Sequence, residues 1–234
     1  MILQQQLSSK KLKDKEMEID KLMSMLKVKK HLKIGIMGGT FNPIHYGHLV
    51  TAEEALKQFR LDKVIFVPTG MPPHKTSGVL AEAEDRYLMS VIATASNADF
   101  LVSRIEIDNK DTSYTIDTLK KFQDIFKEKV TLYFITGADA ILEILTWKNP
   151  KEVTNLYKFI AATRPGYDIS KIEDLKKNLY NDPAQSKEHI FLMEIPALAI
   201  SSTDIRKRIR SKKPIKYLLP EGVVNYLLKH GLYS

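Results

Sequence analysis

The sequence predicts an α/β domain built on a doubly wound parallel sheet, and three observations carry that prediction. From Lys33 onward, short β-rich runs alternate with helical stretches. Most of the β-rich runs are near-continuously apolar, as strands buried on both faces are. With 234 residues, 44% of them hydrophobic, the chain can bury one sizeable core.

The expected strands are Lys33–Met37, Lys63–Pro68, Phe100–Ile105, Val130–Thr136, Lys158–Thr163 and Ile190–Ile195. The expected helices run roughly over His45–Arg60, Glu84–Asn97, Tyr114–Phe126, Ala138–Leu145, Ser170–Leu179, Ser202–Ser211 and Pro220–Lys229, the last two forming a helical C-terminal segment. Leu49, Ala52, Leu56 and Phe59 give the first helix its buried stripe. Right-handed crossovers between such strands place ligands beyond the strands' carboxyl ends, so motifs there carry functional weight.

Residues 1–31 read differently from the domain that follows, 32–234. They are rich in Lys and Met and contain no Gly or Pro. Ser8 or Ser9 can cap a helix, and Ile19, Leu22, Met23 and Leu26 follow helical spacing. This is an amphipathic helix or a loosely ordered arm, with no chemistry in it.

Composition sets limits on function. No apolar run is long enough to span a membrane, and the N-terminus lacks the apolar core of a signal peptide. The chain has no cysteine, which excludes disulfides and thiolate metal sites and fits a reducing cytoplasm. The formal charge of +8 suits nucleic acid, an anionic surface or an anionic small substrate. Many lysines fall in the first 33 residues and around Lys207–Lys216, where solvated helix faces account for most of them.

The first strand runs into Gly38-Gly39-Thr40-Phe41-Asn42-Pro43-Ile44-His45-Tyr46-Gly47-His48. Glycines let backbone amides approach a phosphate closely, and a helix starting a few residues on offers N–H groups and a positive dipole end. His45 and His48 stand three apart, on one face of the first turn, where two imidazoles can donate to phosphate oxygens and, if protonated, neutralise charge. No Cys, Asp or Glu stands nearby to complete a metal site with them, so no metal ligand is expected. The stretch does not match G-x-G-x-x-G, and no acid ends the second strand to hold a ribose. A Walker motif is absent as well, so dehydrogenase and P-loop readings are poor.

A second motif, Ile200-Ser201-Ser202-Thr203-Asp204-Ile205-Arg206, follows a strand-like run ending at Pro196. Ser201 or Ser202 can cap a helix, and Asp204 suits its first turn. Alone it reads as an ordinary capped surface helix. Paired with the first motif, it is a second helix N-terminus at one sheet edge, and two such ends can grip both ends of a triphosphate.

Taken together, these motifs resemble the (H/T)xGH nucleotidyltransferase superfamily, with its Rossmann-like sheet. Further landmarks narrow the resemblance to the nicotinate mononucleotide adenylyltransferases: Pro72-Pro73-His74-Lys75, Ser113-Tyr114-Thr115-Ile116-Asp117-Thr118-Leu119, Gly137-Ala138-Asp139, Trp147, Arg164-Pro165-Gly166 and Tyr217-Leu218-Leu219-Pro220. They occur in the family's order over about residues 33–234.

The resemblance implies catalytic roles for His45, His48 and Lys75. It implies ATP contacts from Gly38, Gly39, Thr40, Phe41, Gly137, Asp139, Ser201, Ser202 and Arg206, with Asp139 on the ribose. It places the pyridine mononucleotide near Thr115, Trp147 and His74, and assigns Arg86 no firm role. Mg²⁺ is expected to ride on the ATP phosphates. ATP and nicotinate mononucleotide are the implied partners, with neither nucleic acid nor membrane involved and the oligomeric state open. Two other readings stand beside this one: a sister transferase making another adenylated or cytidylated product, such as dephospho-coenzyme A, and a non-catalytic nucleotide- or nucleic-acid-binding protein.

Overall fold

A computed structural model describes residues 22, 24, 25, 29–72, 79–180, 188–196 and 199–234. Its centre is a six-stranded parallel sheet of β1 (Leu32–Gly39), β2 (Lys63–Pro68), β3 (Phe100–Val102), β4 (Val130–Gly137), β5 (Lys158–Thr163) and β6 (Ile190–Glu194). The strands lie in the order β3-β2-β1-β4-β5-β6. Strand order reverses between β1 and β4, which leaves a crevice at their carboxyl ends. This is the doubly wound sheet that the sequence predicts.

Helices among the described residues cover both faces. They are α1 (Tyr46–Gln58), α2 (Ala83–Thr94), α3 (Thr115–Phe126), α4 (Ala138–Leu142), α5 (Pro150–Leu156), α6 (Ser170–Leu179), α7 (Ser202–Arg210) and α8 (Glu221–Lys229). The period-2 alternation of a strand sorts the core into two layers. Ile34, Ile36, Ile65, Val67, Leu132 and Phe134 face α3 to α6, packing on Ile116, Leu119, Val153 and Ile172. Val64, Phe66, Tyr133 and Ile135 face the other way, onto Ala52, Leu56, Met89, Ile205 and Val223 of α1, α2, α7 and α8.

Three elements depart from the sequence reading. The expected strand Phe100–Ile105 stops at Val102. Arg104 is buried there, bidentate to Glu84 at 3.0 and 2.8 Å, and the Asp108 amide closes back on the Arg104 carbonyl at 3.0 Å. Apolar alternation continues at Ile105 and Ile107, but the chain has already turned. The helix expected over Ala138–Leu145 ends at Leu142, and a 3₁₀ turn covers Ile144–Thr146. Helix α5 was not expected, because Asn149-Pro150 reads as loop; Pro150 instead occupies the first turn of that helix, where its missing N–H costs nothing.

Little of residues 1–31 is described, yet part of what is packs inward. Leu22 is 2% exposed within the α3-side core and Met25 lies against it. Lys29 Nζ pairs with Asp62 at 2.6 Å, and Asp62 also accepts the Lys33 amide at 2.8 Å.

Candidate active site

The carboxyl ends of β1, β4 and β5 and the first turns of α1 enclose a cleft of about 390 Å³. Gly38, His45, His48, Gly137 and Asp139, five residues singled out in the sequence, line it together. A Cβ on Gly137 would meet nothing within 4 Å, so the end of β4 is open to a ligand.

The H-x-G-H spacing has a local cause. His45 caps α1 with extended backbone, and its N–H donates to His48 Nδ1 at 3.2 Å. The two rings stack with centroids 3.8 Å apart. A Cβ on Gly47 would come within 3.0 Å of Nδ1 and Cε1 of His45, so only glycine leaves that ring its place. Because Nδ1 of His48 accepts, neutral His48 carries its proton on Nε2 and is a donor there. Burial pushes His45 down to about 4, and burial together with the neighbouring His45 holds His48 well below the usual histidine range. In the free protein at neutral pH, both imidazoles are therefore uncharged. The charge neutralisation expected of them is not set by this geometry, whereas hydrogen-bond donation is. His45 Nδ1 is buried without a partner behind Gly47, while the residue itself lines the cleft.

The glycine turn lies behind this wall. Phe41 is 3% exposed, with its ring edge-on to His48 at 5.0 Å, so its side chain supports the histidine. Gly39 and Thr40 precede it and do not line the cleft. A Cβ on Gly38 would reach 3.1 Å from the Phe134 ring. Of the amides at the start of α1, that of Tyr46 is already committed to the Leu218 carbonyl at 3.2 Å.

Far apart in sequence, the two motifs are joined in space. Ser202 Oγ donates to the Pro43 carbonyl at 2.8 Å, and Arg206 Nη1 donates to the Asn42 carbonyl at 2.7 Å. Ser201 caps α7 by accepting the Asp204 amide at 3.1 Å. The cleft lining reaches Ile200 and includes none of these three side chains; Ser202 and Arg206 hold the turn and α7 together, and Ser201 caps α7.

Thr115 and Trp147 are half-buried and stand off this wall. The Trp147 ring meets Phe134 edge-on at 5.8 Å, and Phe134 touches Gly38, so one aromatic ring separates Trp147 from the glycine turn. Lys148 bridges to α3 through Asp117 at 2.8 Å and lies 4.8 Å over the Tyr114 ring. His74 and Lys75 lie outside the described residues. Among the described residues, no group of three His, Cys, Asp or Glu could hold a metal ion.

Sequence reasoning gave Arg164 only as a family landmark, with no role at the site, and did not name Tyr167. Arg164 and Tyr167 follow β5 and face the cleft, and Tyr167 donates to Asp139 Oδ1 at 3.3 Å. A cation just past a strand's carboxyl end was the available signal. Arg86 lies 1% exposed beneath the site and donates to the carbonyls of Ala81, Thr40, Thr69 and Gly70 at 3.1, 2.9, 2.5 and 3.1 Å. It fastens the loops after β1 and β2 and is spent on backbone carbonyls.

Comparison with known proteins agrees with this geometry. A cytidylyltransferase-like family profile matches residues 36–208. A protein of Moorella thermoacetica named "Probable nicotinate-nucleotide adenylyltransferase" is 56% identical over 201 residues, covering 86% of this chain and 91% of that one. The chain belongs to the cytidylyltransferase-like family, among its nicotinate-nucleotide adenylyltransferases. A second adenylyltransferase of that name, from a Thermoanaerobacter species, is 54% identical over 88% of this chain and 97% of its own. The fold matches that of the nicotinic acid mononucleotide adenylyltransferase of Plasmodium falciparum, solved with NaAD, at a TM-score of 0.70 and 22% identity over 87% of this chain and 98% of that one. The protein is thus an enzyme of this family, and the cleft lined by His45 and His48 sits at the topological switch point of its sheet.

Proposed function

We propose that the protein transfers the adenylyl group of ATP to nicotinate mononucleotide, forming nicotinate adenine dinucleotide and pyrophosphate in NAD biosynthesis. The observation that carries this reading is the union of the two motifs by the Ser202–Pro43 and Arg206–Asn42 hydrogen bonds beside the His45–His48 pair. Two helix starts at one sheet edge suit the two ends of a triphosphate.

The chemistry needs no side-chain nucleophile. The 5′-phosphate of the mononucleotide has a second pKa of about 6 and is mostly ionised at neutral pH. One of its oxygens attacks the α-phosphorus of ATP in line; the P–O bond to the β-phosphate breaks, and pyrophosphate leaves with the electron pair. The protein holds two anions together and stabilises the charge of the transition state. We assign that work to the Nε2 proton of His48, to His45, to Lys75, and to the Ser201–Ser202 end of α7. Asp139, Gly38 and Gly137 take the adenosine side, with the turn residues Gly39, Thr40 and Phe41 behind and Arg206 steadying the turn.

Mg²⁺ would ride on the ATP phosphates as part of the substrate, neutralising charge there. Among the described residues no helix is long and apolar enough to cross a membrane. A cysteine-free chain suits a reaction in the cytoplasm.

Trp147, Thr115 and His74 take the pyridine side, and the acid is preferred over the amide. A carboxylate is acceptor-only and can fill donors from Thr115 and the Trp147 loop, whereas an amide turns an NH₂ toward one of them. One or two unmet groups in a closed site give discrimination of roughly 10- to 10⁴-fold. The test compares kcat/KM for nicotinate and nicotinamide mononucleotides at saturating ATP and Mg²⁺. A clear preference for the acid is expected. Equal values would remove the assignments of Thr115 and Trp147.

A further inference from the structure

The last turn of the chain reaches the glycine turn from beneath. Tyr233 is 4% exposed, and its hydroxyl donates to Asn42 Oδ1 at 2.5 Å. Asn42 is 6% exposed and bonded on every side-chain heteroatom: Oδ1 also accepts the Ala81 amide at 3.1 Å, Nδ2 donates to the Val79 carbonyl at 3.0 Å, and its main-chain carbonyl takes Arg206. The Asn42 side chain therefore ties the glycine turn to the segment at 79–81 and to Tyr233, and its main-chain carbonyl ties the turn to α7.

Backbone conformation points the same way. Phe41, next to Asn42, has φ 46°, and Tyr233 has φ 68°. Both are bulky residues in the left-handed region, which persists only where the surroundings hold it. Burial pushes the Tyr233 phenol up, so it remains a protonated donor across the physiological range. Glycine spacing and helix signals explain neither the buried amide nor the tyrosine.

We propose that Tyr233 is a positioning residue of the ATP half-site, holding the Gly38–His48 turn through Asn42 so that His45 and His48 meet the triphosphate in register. This rests on the adenylyltransferase reading given above. The hydroxyl touches no substrate; it acts by fixing the carboxamide that braces the turn. Its loss should therefore tell on ATP and spare the mononucleotide, whose residues Thr115 and Trp147 belong to other elements.

The experiment replaces Tyr233→Phe, which keeps the ring and removes the bond. The expected result is a loss of roughly ten- to a hundredfold in kcat/KM for ATP, the size of effect that small misplacement of reacting groups brings. KM for the mononucleotide should stay within about twofold, the scatter of near-neutral surface changes. Tyr226→Phe is the control. It deletes a hydroxyl that donates to Asp85 at 2.8 Å from α8, and its kinetics should match those of the unaltered protein. Asn42→Ser breaks the same bond from the other side, so it reports even if Tyr233→Phe fails to fold. Where both fold, the double variant should lose no more than the worse single one, because both remove one shared interaction. Unchanged ATP kinetics in Tyr233→Phe, an equal rise in KM for both substrates, or additive losses in the double variant would each overturn the proposal. Binding of a non-hydrolysable ATP analogue to the unaltered and Tyr233→Phe proteins separates this from failure of the reaction assignment. If the unaltered protein makes no dinucleotide, the assignment fails while analogue affinity still reads the brace.

Discussion

The two sides of the cleft are held by different kinds of bond. Beneath the ATP side, Asn42, Arg86 and Tyr233 are at most 6% exposed, and their polar atoms are spent on backbone carbonyls, amides and one another. On the proposed pyridine side, Thr115 and Trp147 are half-buried, and the Trp147 loop is tied to α3 by the Lys148–Asp117 pair, both side chains more than 40% exposed. Buried hydrogen bonds are costly to break, whereas exposed ion pairs contribute little. The comparison teaches that, on the proposed assignment of the two sides, the triphosphate would meet a preorganised wall and the pyridine ring one that can adjust.

The sharpest way to break this contrast is Arg86→Met. It strands four buried carbonyls, so unfolding free energy should fall by about 3–5 kcal/mol. Denaturant unfolding measures it. A loss below that of an ordinary surface change would mean that the ATP-side wall is not built on this guanidinium.

A second effect is set by pH. His45 sits at about 4 in the folded protein against an ordinary value of 6.5. Between these values the unfolded chain binds the proton and the folded protein does not, so stability is full above about pH 6.5 and declines as pH falls toward 4. His45 contributes about 3 kcal/mol of that decline at most, and His48 acts in the same direction. Unfolding midpoints at pH 7 and pH 5 should differ, and His45→Gln should shrink the difference. An unchanged difference would place the titration elsewhere.

Third is His48→Ala. Removing a transition-state donor should cut turnover by roughly 10²-fold or more. The fold should survive with a modest loss from the His45–His48 capping contact. Circular dichroism and pyrophosphate release check the two halves of this statement.

Lys148→Ala should have the smallest effect. It deletes an exposed pair and should change stability by less than about 1 kcal/mol. Its mark should be a modest rise in KM for the mononucleotide with none for ATP. A tenfold fall in turnover would show that the pyridine side is as tightly built as the ATP side.

Much of the fold was legible because its signals are local. The bounds of β2, β5 and α6 follow from apolar runs and helical spacing, and they agree with the structure. β3 was read too long because a pattern of apolar residues cannot report that Arg104 finds Glu84 and bends the chain. The glycine turn and the histidine pair were legible because a backbone that approaches anions and a three-residue helical spacing both leave marks in sequence. Arg164 was legible as a landmark, but its place in the cleft, and Tyr167 with it, was not, since sheet order is what brings β5 beside β4 and β1. Tyr233 was invisible, and Arg86 was named without a firm role, for a deeper reason. Their partners are backbone groups or a single carboxamide far away in sequence, and no periodicity encodes such a bond. The neutrality of the histidines was equally hidden, because burial is a property of the packed whole.

The most direct test of the account is phosphorus NMR of the unaltered protein with ATP, Mg²⁺ and nicotinate mononucleotide. The account predicts that nicotinate adenine dinucleotide and pyrophosphate appear together in equal amounts, with neither formed when the mononucleotide is left out. Release of phosphate or AMP without dinucleotide, or no reaction by folded protein, would contradict it.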